Sequence, residues 1–110
     1  MWGVTEITDG CIKNDYLLIG ELRSLFPPDV FGGPTKESAA KTVRIHWGGE
    51  PVDTDLVSSD GAFRARSWVG EFIRTHGLRV GDRVVVQRVS PYVFHVYPVR
   101  VVGLGIQSPG

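Results

Sequence analysis

The sequence has little cysteine and no excess of charge of either sign. Cys11 is the single cysteine among 110 residues, which excludes an internal disulfide and any zinc site built from cysteines. Twelve basic and twelve acidic side chains give a formal net charge of zero. Bulk charge therefore does not indicate general binding to polyanions, and a nucleic-acid-binding surface would have to be a local patch.

Long hydrophobic runs are also missing. The N-terminal residues MWGVTEITDG lack the basic start and apolar stretch of a signal peptide, and no run of apolar residues is long enough to span a bilayer. These absences predict an intracellular protein without membrane association. The length suits one domain, whose 42% hydrophobic residues can form a modest core.

Catalytic motifs are the third absence. No acidic residue stands two positions before a lysine, as the metal-binding core of a PD-(D/E)xK nuclease requires. The sequence also lacks a nucleophile elbow, a His-Glu-x-x-His helix and a phosphate-binding loop. We therefore expect a binding module with no catalytic residue, no metal site and no cofactor.

Short stretches of alternating apolar residues dominate what is present. The pattern predicts short strands at residues 3–8, 16–19, 42–47, 51–57, 63–66, 83–89 and 92–99. Two short helices are predicted, one at residues 21–26 and one from Ser67 to Gly77, whereas residues 9–15 are predicted to form a polar loop. Strands interrupted by short helices favour a mainly β fold, a closed or nearly closed small barrel. Residues 1–102 form the predicted domain, and residues 103–110 a tail or linker.

The chain is organised around residues 63–82. Alternation over the first four residues predicts that Arg64 and Arg66 point outward from a strand. Ser67 is expected to cap the following helix, and Gly77 is expected to end it in a left-handed conformation. The buried face of this helix is predicted to comprise Trp68, Val69, Phe72 and Ile73.

Several polar residues fit ordinary structural roles better than functional ones. His46 and His95 occupy outward strand positions typical of surface histidines. Asp53 and Asp55 are predicted to share one strand face; a solvated face explains them better than a cation site with His46. Cys11 has only Lys13 nearby to activate it, which favours a packed thiol over a reactive one.

The run FRARSWVGEFIRTHGLRVGDRVVVQRVSPYVFHV resembles the C-terminal half of B3-like DNA-binding domains. A basic strand leads there into a Trp-bearing helix, a Leu-x-x-Gly-Asp turn and a Val-rich hairpin. Upstream, TDGCIKNDYLLIG matches the polar loop and apolar strand of the family, so the resemblance covers residues 8–99. The pairs Gly32-Gly33 and Gly48-Gly49 are closer to bacterial members, which include the recognition or effector domains of restriction endonucleases of the EcoRII type.

The resemblance implies a pseudobarrel that holds duplex DNA in the major groove between two arms. The first arm corresponds to residues 9–16 and the second to residues 58–66. Carried onto this sequence, the DNA-binding residues are Lys13, Asn14, Asp15, Tyr16, Ser58, Ser59, Asp60, Arg64 and Arg66, with Lys36 as a weaker backbone contact. Arginine suits guanine, asparagine suits adenine and aspartate suits cytosine, whereas serine and lysine suit phosphates.

We therefore expect sequence-specific binding of double-stranded DNA by a monomeric domain in the bacterial cytoplasm. The resemblance implies the recognition or effector domain of a type II restriction endonuclease, with a nuclease domain placed C-terminally in the same parent chain. A stand-alone bacterial regulator and a methyltransferase accessory domain are alternatives. So are an RNA-binding small barrel that stacks bases on Tyr16, Tyr92 and Tyr97, and a barrel that binds a protein or small ligand.

Overall fold

The computed structural model describes residues 1–33, 39–59, 61–102 and 105–107, with side chains up to residue 100. This part of the chain is mainly β with few helices, as predicted. The strands are β1 (Trp2–Glu6), β2 (Phe31–Gly32), β3 (Val43–His46), β4 (Val52–Thr54), β5 (Leu56–Val57), β6 (Ala62–Phe63), β7 (Arg83–Ser90), β8 (Val93–Pro98), β9 (Arg100–Val102) and β10 (Gly105–Gln107). The α-helices are α1 (Asp9–Asn14) and α2 (Ser67–His76), and 3₁₀ segments span Gly20–Leu25 and Pro28–Val30.

The strands form a five-stranded sheet in the order β1-β7-β8-β3-β4 and a three-stranded sheet in the order β2-β5-β6. Pairing is antiparallel except between β3 and β8 and between β2 and β5. The chain passes from the large sheet to the small one at Asp55, the single residue between β4 and β5. β9 and β10 form a separate antiparallel pair, so part of the predicted tail is a strand; the domain boundary itself stays a prediction.

Both sheets contribute to one hydrophobic core. Val43 and Ile45 of the large sheet are fully buried, and so is Leu56 of the small one. Aromatic rings fill the space between them: the ring centres of Phe26 and Phe94 lie 4.3 Å apart in a stacked arrangement. The alternation predicted for residues 42–47 is confirmed, because Arg44 between the two buried side chains is exposed.

Helix α2 closes one side of this core. The predicted buried face is confirmed: the buried residues include Trp68, Val69, Phe72 and Ile73. Gly77 ends the helix with φ 59°, as expected, and its amide donates to the Arg74 carbonyl. The expectation that Ser67 caps the helix is wrong. Arg66 is the N-cap residue, without a side-chain capping bond, and Ser67 is the first helical residue.

The predicted loop at residues 9–15 is wrong, because residues 9–14 form helix α1. Thr8 caps this helix, its hydroxyl accepting a hydrogen bond from the Cys11 amide at 3.3 Å. Asp15 ends it in the left-handed conformation with φ 54°. Cys11 is fully buried, as expected of a packed thiol, and its burial anchors this short helix to the core.

Residues 16–19, predicted to be a strand, belong to neither sheet. The segment is only partly buried: Leu17 and Ile19 are buried, whereas Leu18 is 43% exposed. Side-chain and loop groups replace a strand ladder: the Thr5 hydroxyl donates to the Leu18 carbonyl, and the Ile19 amide donates to the Gly61 carbonyl at 3.2 Å. This segment therefore joins the edge of the large sheet to the second arm.

Candidate nucleic-acid interface

Helix α1 places two polar residues of the first arm in solvent. Lys13 and Asn14 are exposed at the C-terminal end of the helix. Lys13 Nζ lies 2.9 Å from Asp9 Oδ2, one helical turn earlier, and both side chains are about 70% exposed. Because an exposed ion pair of this kind is weak, a phosphate group can compete with the carboxylate for Lys13.

Asp15 and Tyr16, the other residues predicted for the first arm, pack against the protein. A Cβ atom at Gly70 of α2 would lie 2.6 Å from Asp15 Oδ1, so this glycine makes room for the carboxyl group. Gly10 makes room for the Tyr16 hydroxyl in the same way. Both side chains are only partly exposed, and they fix α1 in position.

The turn of the second arm is held by an arginine that sequence reasoning missed. Arg23 Nη2 donates to the Ser58 carbonyl at 2.7 Å, and its guanidinium lies 4.7 Å from the centre of the Phe31 ring. The Ser58 amide donates to the Gly32 carbonyl at 2.9 Å. Ser58 and Ser59 are exposed at this turn, whereas Asp60 lies outside the described residues.

Arg64 makes a set of internal hydrogen bonds. Its Nε donates to Asp55 Oδ1 at 2.9 Å and to Oδ2 at 3.0 Å, and its Nη2 donates to the Gly33 carbonyl at 2.8 Å. Asp55 Oδ2 also accepts the Ala39 amide at 3.0 Å. The Arg64 side chain is 26% exposed and that of Asp55 is 6% exposed. The expectation of a solvated face shared by Asp53 and Asp55 is therefore wrong for Asp55.

The environment of Asp55 favours its charged form. Burial by itself raises the pKa of the carboxyl group, but hydrogen bonds from Arg64 and from the Ala39 amide lower it more. The resulting pKa lies below the ordinary value for aspartate. The Asp55–Arg64 pair also holds Gly33 and Ala39, which flank residues 34–38. Lys36 belongs to that segment and lies outside the described residues.

Arg66 has a different environment two residues later. It is exposed, and its Nη2 donates to the carbonyl of Asn14 at 2.8 Å. In the described part of the chain its remaining guanidinium nitrogens make no hydrogen bond. This bond joins the C-terminal end of α1 to the start of α2, across 52 residues of sequence. Arg66 therefore brings the two predicted arms together.

The structure thus divides the predicted site into two groups. Lys13, Asn14 and Arg66 lie at the junction of the arms, with Ser58 and Ser59 at the turn of the second arm. Arg64 belongs to the internal cluster with Asp55. Arg23 gave no signal in the sequence, because the apolar spacing of its neighbours Leu22, Leu25 and Phe26 dominates that segment.

The tyrosines predicted as stacking platforms for RNA are partly buried. The Tyr92 hydroxyl donates to Asp29 Oδ2 at 2.8 Å, and the Tyr97 hydroxyl donates to Gln87 Oε1 at 2.9 Å. Tyr16 packs over Gly10. Each of these rings is held by the protein. Stacking of unpaired bases on them is therefore less favourable than stacking on exposed aromatic rings.

Comparison with known proteins gives no match: no family model, no curated protein and no solved structure corresponds to this chain. Among the described residues, no three histidine, cysteine or acidic side chains are grouped so that they could hold a metal ion together. None of the described helices is long and apolar enough to cross a membrane.

Proposed function

We propose that this chain binds duplex DNA sequence-specifically, with the junction of its two arms in the major groove. The observation that carries the proposal is the Arg66–Asn14 hydrogen bond, because it unites the two segments that the B3-like resemblance assigns to DNA binding. A preformed junction costs less entropy on binding than two independent arms.

The chemistry of the junction supports base reading by a small number of groups. Arg66 is the proposed guanine reader, because a guanidinium donates two hydrogen bonds to O6 and N7. The exposed amide of Asn14 is the proposed adenine reader. Lys13 and the serines at the turn of the second arm suit phosphates, which set the register without reading sequence. Arg23 would act indirectly, by holding that turn in place.

Arg64 is a poorer candidate than Arg66 for base reading. Two of its donor nitrogens already bind Asp55 and Gly33, so a bidentate contact with guanine would compete with these partly buried hydrogen bonds. We propose instead that Arg64 positions the segment between Gly33 and Ala39, which contains Lys36.

The proposal also covers the architecture of the domain and the type of protein to which it belongs. The two sheets share one core and are connected directly at Asp55, which supports an open pseudobarrel. Resemblance supports the assignment to the recognition or effector domain of a type II restriction endonuclease, with a stand-alone bacterial regulator as the alternative. Nuclease activity in the parent chain that requires this domain's DNA site distinguishes the two.

Selection from randomised duplex DNA, read by sequencing, tests the proposal. We expect wild type to enrich one short motif at near-physiological salt. Arg66→Ala should relax one position of that motif, with a loss of about 1–3 kcal/mol of discrimination for a lost bidentate contact. Arg79→Ala is the matched control, because Arg79 is exposed and lies beyond the other end of α2, which is about 15 Å long.

Three outcomes contradict the proposal. Equal losses of affinity in both variants, with no enriched motif, would indicate only nonspecific attraction to phosphate, which weakens steeply with salt. An enriched motif that is identical in wild type and Arg66→Ala would remove Arg66 from base reading. Tighter binding to single-stranded RNA than to every duplex would favour the RNA-binding alternative.

A further inference from the structure

The three histidines of the sequence line one groove, whose described lining includes no residue of either arm. The groove has a volume of about 460 Å³ and lies beside the C-terminal ends of β3 and β8. His46 and His95 come from these two parallel strands, and His76 comes from the last turn of α2. Three distant segments therefore bring all the imidazole groups to one place.

His46 and His95 are direct neighbours across the strand pair. The register places His46 opposite His95, so both side chains point to the same face of the sheet. Their ring centres lie 5.1 Å apart. Two imidazoles bound to one tetrahedral ion, with metal–nitrogen distances of about 2.0–2.1 Å, have ring centres about 5 Å apart. The observed separation fits shared coordination of a single ion.

The surroundings leave these two rings available for binding. In the described part of the chain, neither the His46 ring nor the His95 ring makes a hydrogen bond or an ion pair, whereas His76 Nδ1 lies 3.1 Å from Arg100 Nη2. His95 is exposed and His46 is half-buried. The groove that both rings line has space for the waters that complete a coordination shell.

We propose that His46 and His95 together bind a divalent first-row transition ion, with water in the remaining coordination positions. Imidazole is a preferred ligand of zinc, nickel and copper ions, whereas magnesium and calcium require oxygen ligands. His76 is not a ligand in this proposal, because Arg100 Nη2 occupies its Nδ1. The sequence favoured two surface histidines, since it does not reveal that their strands are neighbours.

Titration of Zn²⁺ and Cu²⁺ into protein without a polyhistidine tag tests this site by calorimetry and by the NMR signals of the histidine rings. We expect one ion per chain, bound more tightly for Cu²⁺ than for Zn²⁺, and no effect of Mg²⁺. His46→Ala and His95→Ala should each weaken binding about tenfold or more, because each removes one of two protein ligands. His76→Ala is the matched control and should retain wild-type affinity.

A second measurement separates loss of binding from loss of folding. The ion should raise the thermal unfolding midpoint of wild type and of His76→Ala but not of the other two variants, because a ligand stabilises the state that binds it. His46→Gln and His95→Gln serve where the alanine variants unfold. Equal affinity in all variants, a loss in only one of the two ligand variants, or an equal loss in His76→Ala would overturn the proposal.

Discussion

Arg64 and Arg66 stand two residues apart, yet the protein uses them in opposite ways. Arg64 donates to a buried carboxylate and to the Gly33 carbonyl, inside a closed cluster. Arg66 is exposed, and its side chain makes one hydrogen bond, to the Asn14 carbonyl, within the described part of the chain. The difference arises because β6 ends at Phe63, so the two side chains no longer share one strand face.

The comparison shows how a basic pair is divided between an internal cluster and an exposed position. A buried carboxylate keeps its arginine in the ion pair, because removal of either partner leaves the charge of the other unpaired in a buried site. An exposed carbonyl occupies only one nitrogen of the guanidinium and leaves the other donors in solvent. Stability should therefore depend on Arg64, and binding should depend on Arg66.

Truncation of the two arginines should give the largest difference in stability between them. Arg64→Ala leaves Asp55 buried and unpaired, and we expect a loss of about 2–3 kcal/mol in the free energy of unfolding, below the full cost of a completely buried pair because Arg64 is partly exposed. Arg66→Ala should lose less than about 1 kcal/mol, because it removes one exposed hydrogen bond. Urea denaturation monitored by tryptophan fluorescence measures both values.

The exposed pair of Arg44 and Asp53 provides the control. These residues face each other on β3 and β4, and Arg44 Nε lies 2.9 Å from Asp53 Oδ1, the same distance as in the Arg64–Asp55 pair. Arg44→Ala should cost much less stability than Arg64→Ala, because solvent screens the exposed charges. Equal losses would show that burial of the Asp55 cluster contributes nothing.

The contribution of the Asp55 cluster to stability should also depend on pH, with a smaller effect than truncation of Arg64. The pKa of Asp55 is lower in the folded protein than its ordinary value of 3.8, so the unfolded chain binds the proton more readily. The contribution of Asp55 is therefore complete above the ordinary pKa and is lost as pH falls through the folded pKa. Unfolding free energies measured from pH 7 down to about pH 3 should decline in wild type and decline less steeply in Asp55→Asn.

Asp53→Asn is the control for this titration. The hydrogen bond from Arg44 lowers the pKa of Asp53 as well, but the group is solvated. Asp53→Asn should therefore keep most of the wild-type decline. If the decline in Asp55→Asn matches that of wild type, another carboxyl group controls acid stability, and the Asp55 cluster has less weight than the geometry indicates.

Local patterns in the sequence correctly predicted the strands and helices in which buried residues recur at one constant spacing. β3 alternates as expected, and the buried face of α2 recurs at helical spacing up to Gly77. Both elements keep one face towards the core over their whole length. Their periodicity therefore contains the information that fixes their orientation.

The same approach failed where the chain changes direction. Alternation over residues 51–57 assigned Asp55 to the solvent, but the chain passes between sheets at that residue and buries its carboxyl group. The pair Asp9-Gly10 is typical of a turn and led to the prediction of a loop, but these residues begin a helix capped by Thr8. The Arg66–Asn14 bond joins residues 52 positions apart, and no local pattern contains such a contact.

The smallest predicted effect concerns the position of the first arm. Gly70→Ala places a methyl group within 2.6–2.9 Å of the atoms of the Asp15 carboxyl group, so the side chain of Asp15, the residue that ends α1, must shift. Stability should change by less than about 1 kcal/mol, because alanine is favoured over glycine in a helix by a similar amount. Affinity for the selected DNA site should fall, because Asn14 adjoins the displaced residue.

Gly20→Ala is the matched control, since a Cβ atom at Gly20 would meet nothing within 4 Å. It should leave DNA affinity unchanged, as measured by fluorescence anisotropy with a labelled duplex. Reduced affinity in Gly70→Ala with unchanged stability would place recognition at the junction of α1 with Arg66. Unchanged affinity in Gly70→Ala would mean that the position of α1 does not affect binding. Recognition would then have to rest on the second arm, where the exposed Arg66 is the remaining candidate base reader.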